Sequence, residues 1–433
     1  MTVKALRVLL IGKGGREHAI AWKLSQSPSV AHVFVCPGNG GTARGRDNVS
    51  NIQAPAGSDY ASLVSLANDL NIGLVVVGPD EDVVAGLEGF FRRGGIPCDA
   101  PTKEAAELEG SKTFAKDFMR RCGIPTAEYQ NFDDVAAAKE YVRRVHHSVV
   151  IKASGLAAGK GVILPSTKEE ACEALDEMVV HGRFGGAASS VVIEELLEGQ
   201  EISILTFSDG ITTLTLPPGQ DHKRIFKGNL GPNTGGMGEY APTPFVSGAD
   251  LEEIERKILR PTFDGLRAEG REFRGLLFTG VMMTPAGPTV LEYNTRFGDP
   301  ETQSVMLLLA DDTDLAQVLL SCTNGTLGKT SVSIKTGFAC NVVIAAGGYP
   351  GAYSSGDDIE IGAMPPDVVL FHAGTELVDD GKLKTAGGRV LSVAAHGRSL
   401  EDCVAAAYKG VNAVRFRDMY YREDIALQCL QGQ

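Results

Sequence analysis

The chain has no CxxC pair: its eight cysteines, at 36, 98, 122, 172, 322, 340, 403 and 429, stand singly. That spacing argues against a zinc site and for a reduced, cytosolic setting. No apolar run approaches the ~20 residues of a membrane helix. Met1 leads straight into a strand-like stretch at 6–11, without a charged-then-apolar leader. A basic excess is missing too. Lys and Arg number 41 against 54 Asp and Glu, a formal net charge of -13, the reverse of what a nucleic-acid face needs. What remains is an ordinary soluble composition, 43% hydrophobic and 22% charged over 433 residues, enough for about two to four domains. The 52 glycines cluster in loops after strand-like segments, where backbone turns sharply or approaches a ligand.

The opening stretch resembles a dinucleotide fingerprint but lacks its key features. Strand 6–11 runs into GKGGREH at 12–18 and then a helix to about residue 25, a layout that places phosphate at a helix N-terminus. The glycine spacing is G-x-G-G, and the next strand, 32–36, ends in PGNGGT at 37–42 with no acid to hold ribose hydroxyls. This opposes an NAD-dependent oxidoreductase. A third strand, 73–78, runs into Pro79-Asp-Glu-Asp82. Three such loops on one edge of a parallel sheet suit a sugar phosphate. The amides of Gly14 and Gly15 would meet the phosphate, and Asn39, Thr42 or Asp80 the hydroxyls; ordinary turn chemistry is the competing reading of those polar residues.

The middle of the chain lacks a GxxxxGK[ST] loop. Residues 104–122 read as one helix containing Ser111 and Lys112. Then VVIKASGLAAGKGVI at 149–163 reads as two strands joined by a glycine flap, with Lys152 facing a site. Gly155, Gly159 and Gly161 let the flap's amides fold over phosphates. A strand ending in Glu194-Glu195 follows, with a hinge past Leu197 and a restart at Glu201. Late in the chain VLEYNTRFGDPE, 290–301, begins as a strand. Residues two apart share a face, so Glu292 and Asn294 point the same way, with Val290 behind them on that face. One carboxylate and one amide oxygen suit Mg2+, and Arg296 supplies a planar fork for phosphate or carboxylate. A strand with a wet polar face is the alternative.

Together these features resemble the ATP-grasp superfamily, in which two α/β lobes clamp ATP. QDHKR at 220–224, GPNTGGMG at 231–238 and NTRFGDPE at 294–301 narrow the likeness to the glycinamide ribonucleotide synthetase (phosphoribosylamine–glycine ligase) family, over about residues 5–425. The resemblance implies an N-terminal parallel-sheet, Rossmann-like domain (1–108), a two-lobed ATP-grasp centre (109–332, mobile small lobe about 125–195) and a small α/β C-terminal lid domain (333–433). It implies ATP as co-substrate, contacted by Lys112, Lys152, Gly155, Gly159, Lys160, Gly161, Glu194, Glu195, Leu197 and Glu201, and Mg2+ or Mn2+ on Glu292 and Asn294. It also implies glycine and 5-phosphoribosylamine as small-molecule substrates, with no nucleic acid and no membrane. Gly14, Gly15, Arg16, Gly38, Asn39, Gly40, Thr42, Asp80, Asp221, His222, Lys223, Arg296 and Asp299 form the implied substrate set, and Arg296, Lys152 and Asp221 the catalytic one. Asp221 suits glycine's ammonium, and Arg296 or Lys223 its carboxylate. His222 is read as orienting in preference to acting as a base. Relatives of this family occur fused to later purine-pathway enzymes, so fusion or association is an expectation. The strand before the Glu292 segment, 275–284, lacks the second acid that many ATP-grasp enzymes carry, leaving two metal ligands from the protein.

Overall fold

The computed structural model describes residues 5–55, 59–157, 161–180 and 185–432. The N-terminal sheet has five parallel strands in the order β3-β2-β1-β4-β5. They are β1 (Leu6–Gly12), β2 (Val30–Pro37), β3 (Val49–Asn51), β4 (Leu74–Val77) and β5 (Cys98–Asp99). All four residues of β4 are buried, as a parallel sheet covered on both faces requires. β1 leads into α1 (Gly15–Leu24), and β2 into the short α2 (Gly40–Ala43). Because β2 and β4 flank β1, the order of the sheet reverses there, and the loops after all three strands open on one crevice.

The helix expected over 104–122 is two helices, Lys103–Gly110 and Lys112–Arg121. Ser111 between them is extended, and its hydroxyl accepts from the Phe114 N–H at 3.2 Å. Apolar periodicity runs through this break without marking it; a serine that caps is what stops the first helix. Lys112 thereby opens a helix, and its amide donates to Ser154 O at 2.8 Å.

Two antiparallel sheets of four strands follow. The first orders Tyr129–Phe132, Val191–Glu195, Val149–Ala153 and Val162–Ile163; the second, Thr213–Thr215, Gln200–Asp209, Arg274–Thr284 and Gly287–Asn294. In the second sheet Gly280 pairs with Glu292 but Val281 pairs with Val290, so Leu291 is the extra residue of a β-bulge. The bulge corrects the simple alternation. Val290 turns into the apolar core beside Tyr293, whereas Leu291, Glu292 and Asn294 line the cleft. Alternation over 290–294 had placed Val290 on the metal-binding face, and one inserted residue reverses it.

A third sheet crosses from the centre of the chain to its end. Gln220–Asp221 pairs with Gly238–Ala241, which pairs with Phe338–Ala345, Arg389–Gly397 and Val368–His372 in turn. The helix Glu301–Leu308 lies beneath, with all eight residues buried. Its second half, Val305 to Leu308, joins one core with α1 and the N-terminal sheet.

Close packing also fixes the first glycine loop. Glu17 is buried, and its carboxylate accepts from the Gly14 N–H at 2.5 Å. A Cβ at Gly78 would lie 1.9 Å from Glu17 Oε1. Gly78→Ala is therefore expected to displace Glu17 and cost about 1–3 kcal/mol of stability, as overpacking of a filled interior does. Denaturant unfolding checks this; an unchanged midpoint would contradict the packing argument.

Candidate active site

One cleft between the two antiparallel sheets collects residues from distant parts of the sequence. Lys112, Lys152, Gly161, Glu194, Glu195, Leu197, Glu201, Asp221, Lys223, Glu292, Asn294, Arg296 and Asp299 all line it, and Asp80 reaches it from the loop after β4. Met119, Val150, Leu164, Met282 and Leu291 form an apolar wall beside the charged half. That pairing of a greasy slot with a charged end suits a nucleotide. Gly155 packs against the 185–188 turn, where its N–H donates to Ala187 O at 2.9 Å. Gly159 and Lys160 lie outside the described residues.

The charges are matched in pairs. Lys223 bridges Glu201 and Glu292, the latter at 3.2 Å. Lys223, opposed by burial and helped by Lys152 and Lys112, holds the Glu292 carboxyl down at about 2. The same carboxylates keep the Lys223 ammonium well above its usual range despite burial. Glu292 therefore stays ionised, and its place accepts a cation. One ionised carboxylate beside one amide oxygen is a fitting donor set for a hard divalent ion that keeps other positions for water and phosphate. Among the described residues, no group of three or more His, Cys, Asp or Glu side chains forms a metal cage.

The turn after this strand is held from behind. Thr295 donates its N–H and its hydroxyl to Glu109 Oε2 at 2.7 and 3.0 Å. Arg296 Nη2 pairs with Glu109 Oε1 at 3.1 Å and donates to Asn294 Oδ1 at 3.1 Å. That bond fixes which way the Asn294 amide points. Buried Arg296 Nε has no partner among the described residues.

The N-terminal loops turn much of their polarity inward. Asn39 Oδ1 accepts from the Gly41 and Thr42 N–H groups, and its Nδ2 donates to Lys13 O and His372 O. The Thr42 hydroxyl completes this cap of α2. Both side chains are thus engaged in turn chemistry, the competing reading of these residues. The Gly14 amide is engaged by Glu17. Gly15, Gly38 and Gly40 have no room for a Cβ, but what crowds them is protein: Gln303, Asn51 and Leu383 respectively. Arg16 joins Glu17 and donates to Phe297 O at 3.2 Å. His222 is outside the cleft lining; burial, then Arg422, pulls its pKa to about 4, and Nε2 accepts from the Ala426 N–H at 3.3 Å.

Several contributors were not read from the sequence. Lys116 lines the cleft one helical turn beyond Lys112, a spacing that helix periodicity reveals once Lys112 is placed. Glu109 gives no local signal, since its partners lie 186 residues further on. Arg389 comes from the C-terminal sheet. It donates to Gly235 O at 2.7 Å and Asp299 O at 2.9 Å, and pairs with the Asp299 carboxylate at 3.3 Å. Glu301 lines the cleft beside Asp221. Burial, then Glu301, pushes the Asp221 carboxyl well above its usual range, and Asp221 Oδ1 has no partner among the described residues.

Family comparison covers nearly the whole of this arrangement. Residues 6–109 match the phosphoribosylglycinamide synthetase N domain, 110–302 its ATP-grasp (A) domain and 339–428 its C domain. The chain is 53% identical to a bifunctional purine biosynthetic protein of Schizosaccharomyces pombe, over 98% of this chain and 53% of that protein. It spans about half the length of that and other multifunctional relatives. It is 44% identical to a phosphoribosylamine–glycine ligase of Salmonella typhi, over 99% of this chain and 100% of that one. A crystal structure of a phosphoribosylamine–glycine ligase from Thermotoga maritima superposes with a TM-score of 0.83 at 35% identity, over 97% of this chain and 100% of the other. With three consecutive domain matches and full-length similarity of that degree, the chain belongs to the phosphoribosylglycinamide synthetase family.

Proposed function

We propose that the protein joins glycine to 5-phosphoribosylamine at the expense of ATP, through glycyl phosphate. The observation that carries this reading is the meeting of Lys112, Lys152, Glu292, Asn294 and Arg296 in one cleft with an apolar slot beside it. ATP phosphorylates the glycine carboxylate, the amine attacks the acyl carbon, and phosphate leaves with the amide formed. Such chemistry asks for positioned positive charge more than for a covalent nucleophile. Lys152 and Arg296 offset charge on the transferred phosphoryl group, and Lys112 steadies the chain of phosphates. Leu197 and the apolar wall take adenine, and Glu201 the ribose. Glu292 and Asn294 would hold Mg2+ or Mn2+, which when bound neutralises phosphate oxygens. Asp221 receives the glycine ammonium: a carboxyl raised by burial and by Glu301 is returned to its ionised form by an incoming cation.

The units 1–108, 109–332 and 333–433 divide this work. The loops of the first present the sugar phosphate, the second holds ATP, and the third closes the cleft through Arg389. Eight free cysteines, five of them buried, and the lack of any helix long and apolar enough to cross a membrane among the described residues support a cytosolic setting. The lengths of the bifunctional relatives support fusion to, or association with, a further purine-pathway enzyme.

ADP release should require both glycine and phosphoribosylamine for full turnover. Release indifferent to glycine would sink the proposal. Glu292→Ala should lower kcat about 10²–10³-fold at saturating Mg2+, the scale of losing one preorganised charge stabiliser; wild-type kcat would remove the metal assignment. Arg389→Gln frees the Gly235–Gly236 backbone and Asp299. It is expected to raise KM for glycine several-fold with little change for ATP, and steady-state kinetics with each substrate varied in turn checks it.

A further inference from the structure

Behind the phosphate end of the cleft, one buried carboxylate stands between two ammonium groups. Glu194 ends the strand Val191–Glu195 and is 1% exposed. Its Oε1 pairs with Lys152 and its Oε2 with Lys116. The lysines are themselves only 5% and 2% exposed. Each is moored a second time near the bulged strand that carries Glu292. Lys152 Nζ donates to Leu291 O at 3.1 Å. Lys116 Nζ donates to Thr126 Oγ1 at 2.7 Å, and that hydroxyl donates to Val290 O at 3.0 Å.

Two cations and one anion leave this buried group with a surplus positive charge. Burial alone would drive Glu194 towards its neutral form, yet Lys152 and Lys116 together hold it below its ordinary value. A charge with no access to water is strongly destabilising once its partner is taken away. The proposed reaction makes that demand of Lys152, which must reach a phosphoryl oxygen from a position where it neutralises Glu194.

We propose that Lys116 is the standing counter-ion of Glu194, and that by holding it Lys116 releases Lys152 for the phosphoryl group of ATP. Without Lys116, moving Lys152 onto a phosphate would strand a desolvated carboxylate. With Lys116 in place, Glu194 stays matched whichever anion Lys152 meets, and the surplus charge is available to the nucleotide. Lys116 is thus a positioning residue, acting through Glu194 and Lys152. Its helix keeps it back from the phosphates, since Thr126 and Glu194 take up its ammonium. Lys112, on the first turn of the same helix, has no such duty: its Nζ donates to Gly155 O at 3.3 Å.

This inference rests on the cleft holding ATP, so the unaltered protein is titrated first with a non-hydrolysable ATP analogue and Mg2+. Absence of binding there overturns the ATP reading and this inference with it, whereas binding makes the variants decisive. A double-mutant cycle then separates coupling from packing. Lys116→Met should weaken analogue binding and raise KM for ATP by at least about tenfold, with KM for glycine unchanged and Lys116→Arg close to wild type, because a contact within one network is lost. In a Glu194→Gln background no carboxylate can be stranded, so Lys116→Met should then change ATP affinity by no more than about twofold, the mark of broken coupling. Equal losses in both backgrounds, or wild-type ATP affinity in Lys116→Met, overturn the proposal. Should Lys116→Met alone fail to fold, the double variant decides: ATP affinity matching that of Glu194→Gln supports the role, and a further loss refutes it.

Discussion

Charge removed from water needs a partner, and three groups of ion pairs in the cleft obey that constraint. Lys116 and Lys152 share Glu194, Lys223 joins Glu201 to Glu292, and Arg296 rests on Glu109. A site that must greet a polyanion cannot simply store unpaired cations in its interior, because desolvation would strip their protons. Burial does pull Lys116 down to about 8, against the opposing effect of Glu194. The carboxylates keep the ammonium groups charged and at fixed positions. On the proposed reading, phosphate oxygens would meet cations already held in place, the setting in which fixed dipoles and charges lower a barrier most.

The scaffold delivers these pairs by burying polar groups where a core would ordinarily be apolar. The helix Glu301–Leu308 is the clearest case. Its first half, Glu301, Thr302, Gln303 and Ser304, is as inaccessible as its second. Gln303 Nε2 donates to Asp299, while Ser304 accepts from Asn341 and donates to Glu239 O, so strands of the third sheet and the loop that carries the cleft arginine take up part of this polarity, and Gln303 Oε1 is left without a partner among the described residues. Asp299 is then gripped by Arg389, and Arg16 approaches through Phe297 O. Residues remote in the chain converge on the few positions after Asn294.

Much of this was legible because short-range spacing carries chemistry. Glu292 and Asn294 two apart on a strand, Lys152 at the end of a strand and Asp80 after β4 are all local patterns, and the structure brings these residues to one cleft, whereas the glycine loops after β1 and β2 do not line it. What escaped was set by small irregularities and by long-range contacts. The bulge at Leu291 reverses the side of Val290, and no periodicity in 287–294 announces it. Ser111 divides a segment whose apolar pattern is continuous. The cap at residues 39–42, in which Asn39 and Thr42 bond to each other's backbone, is the turn chemistry that the sequence left open beside a ligand role. Arg389 and Glu109 depend on partners that only folding brings near.

The sheet that links Asp221 to the end of the chain has a further bearing on how the polypeptide is partitioned. Gly238–Ala241 is an interior strand only because Phe338–Ala345 pairs with it. A fragment halted after the central unit would present that strand's bare N–H and C=O groups to solvent. Open edges of this kind recruit other chains and drive aggregation. Truncation between residues 309 and 337 would therefore leave that edge uncovered, and the last hundred residues protect the central strand by completing its sheet.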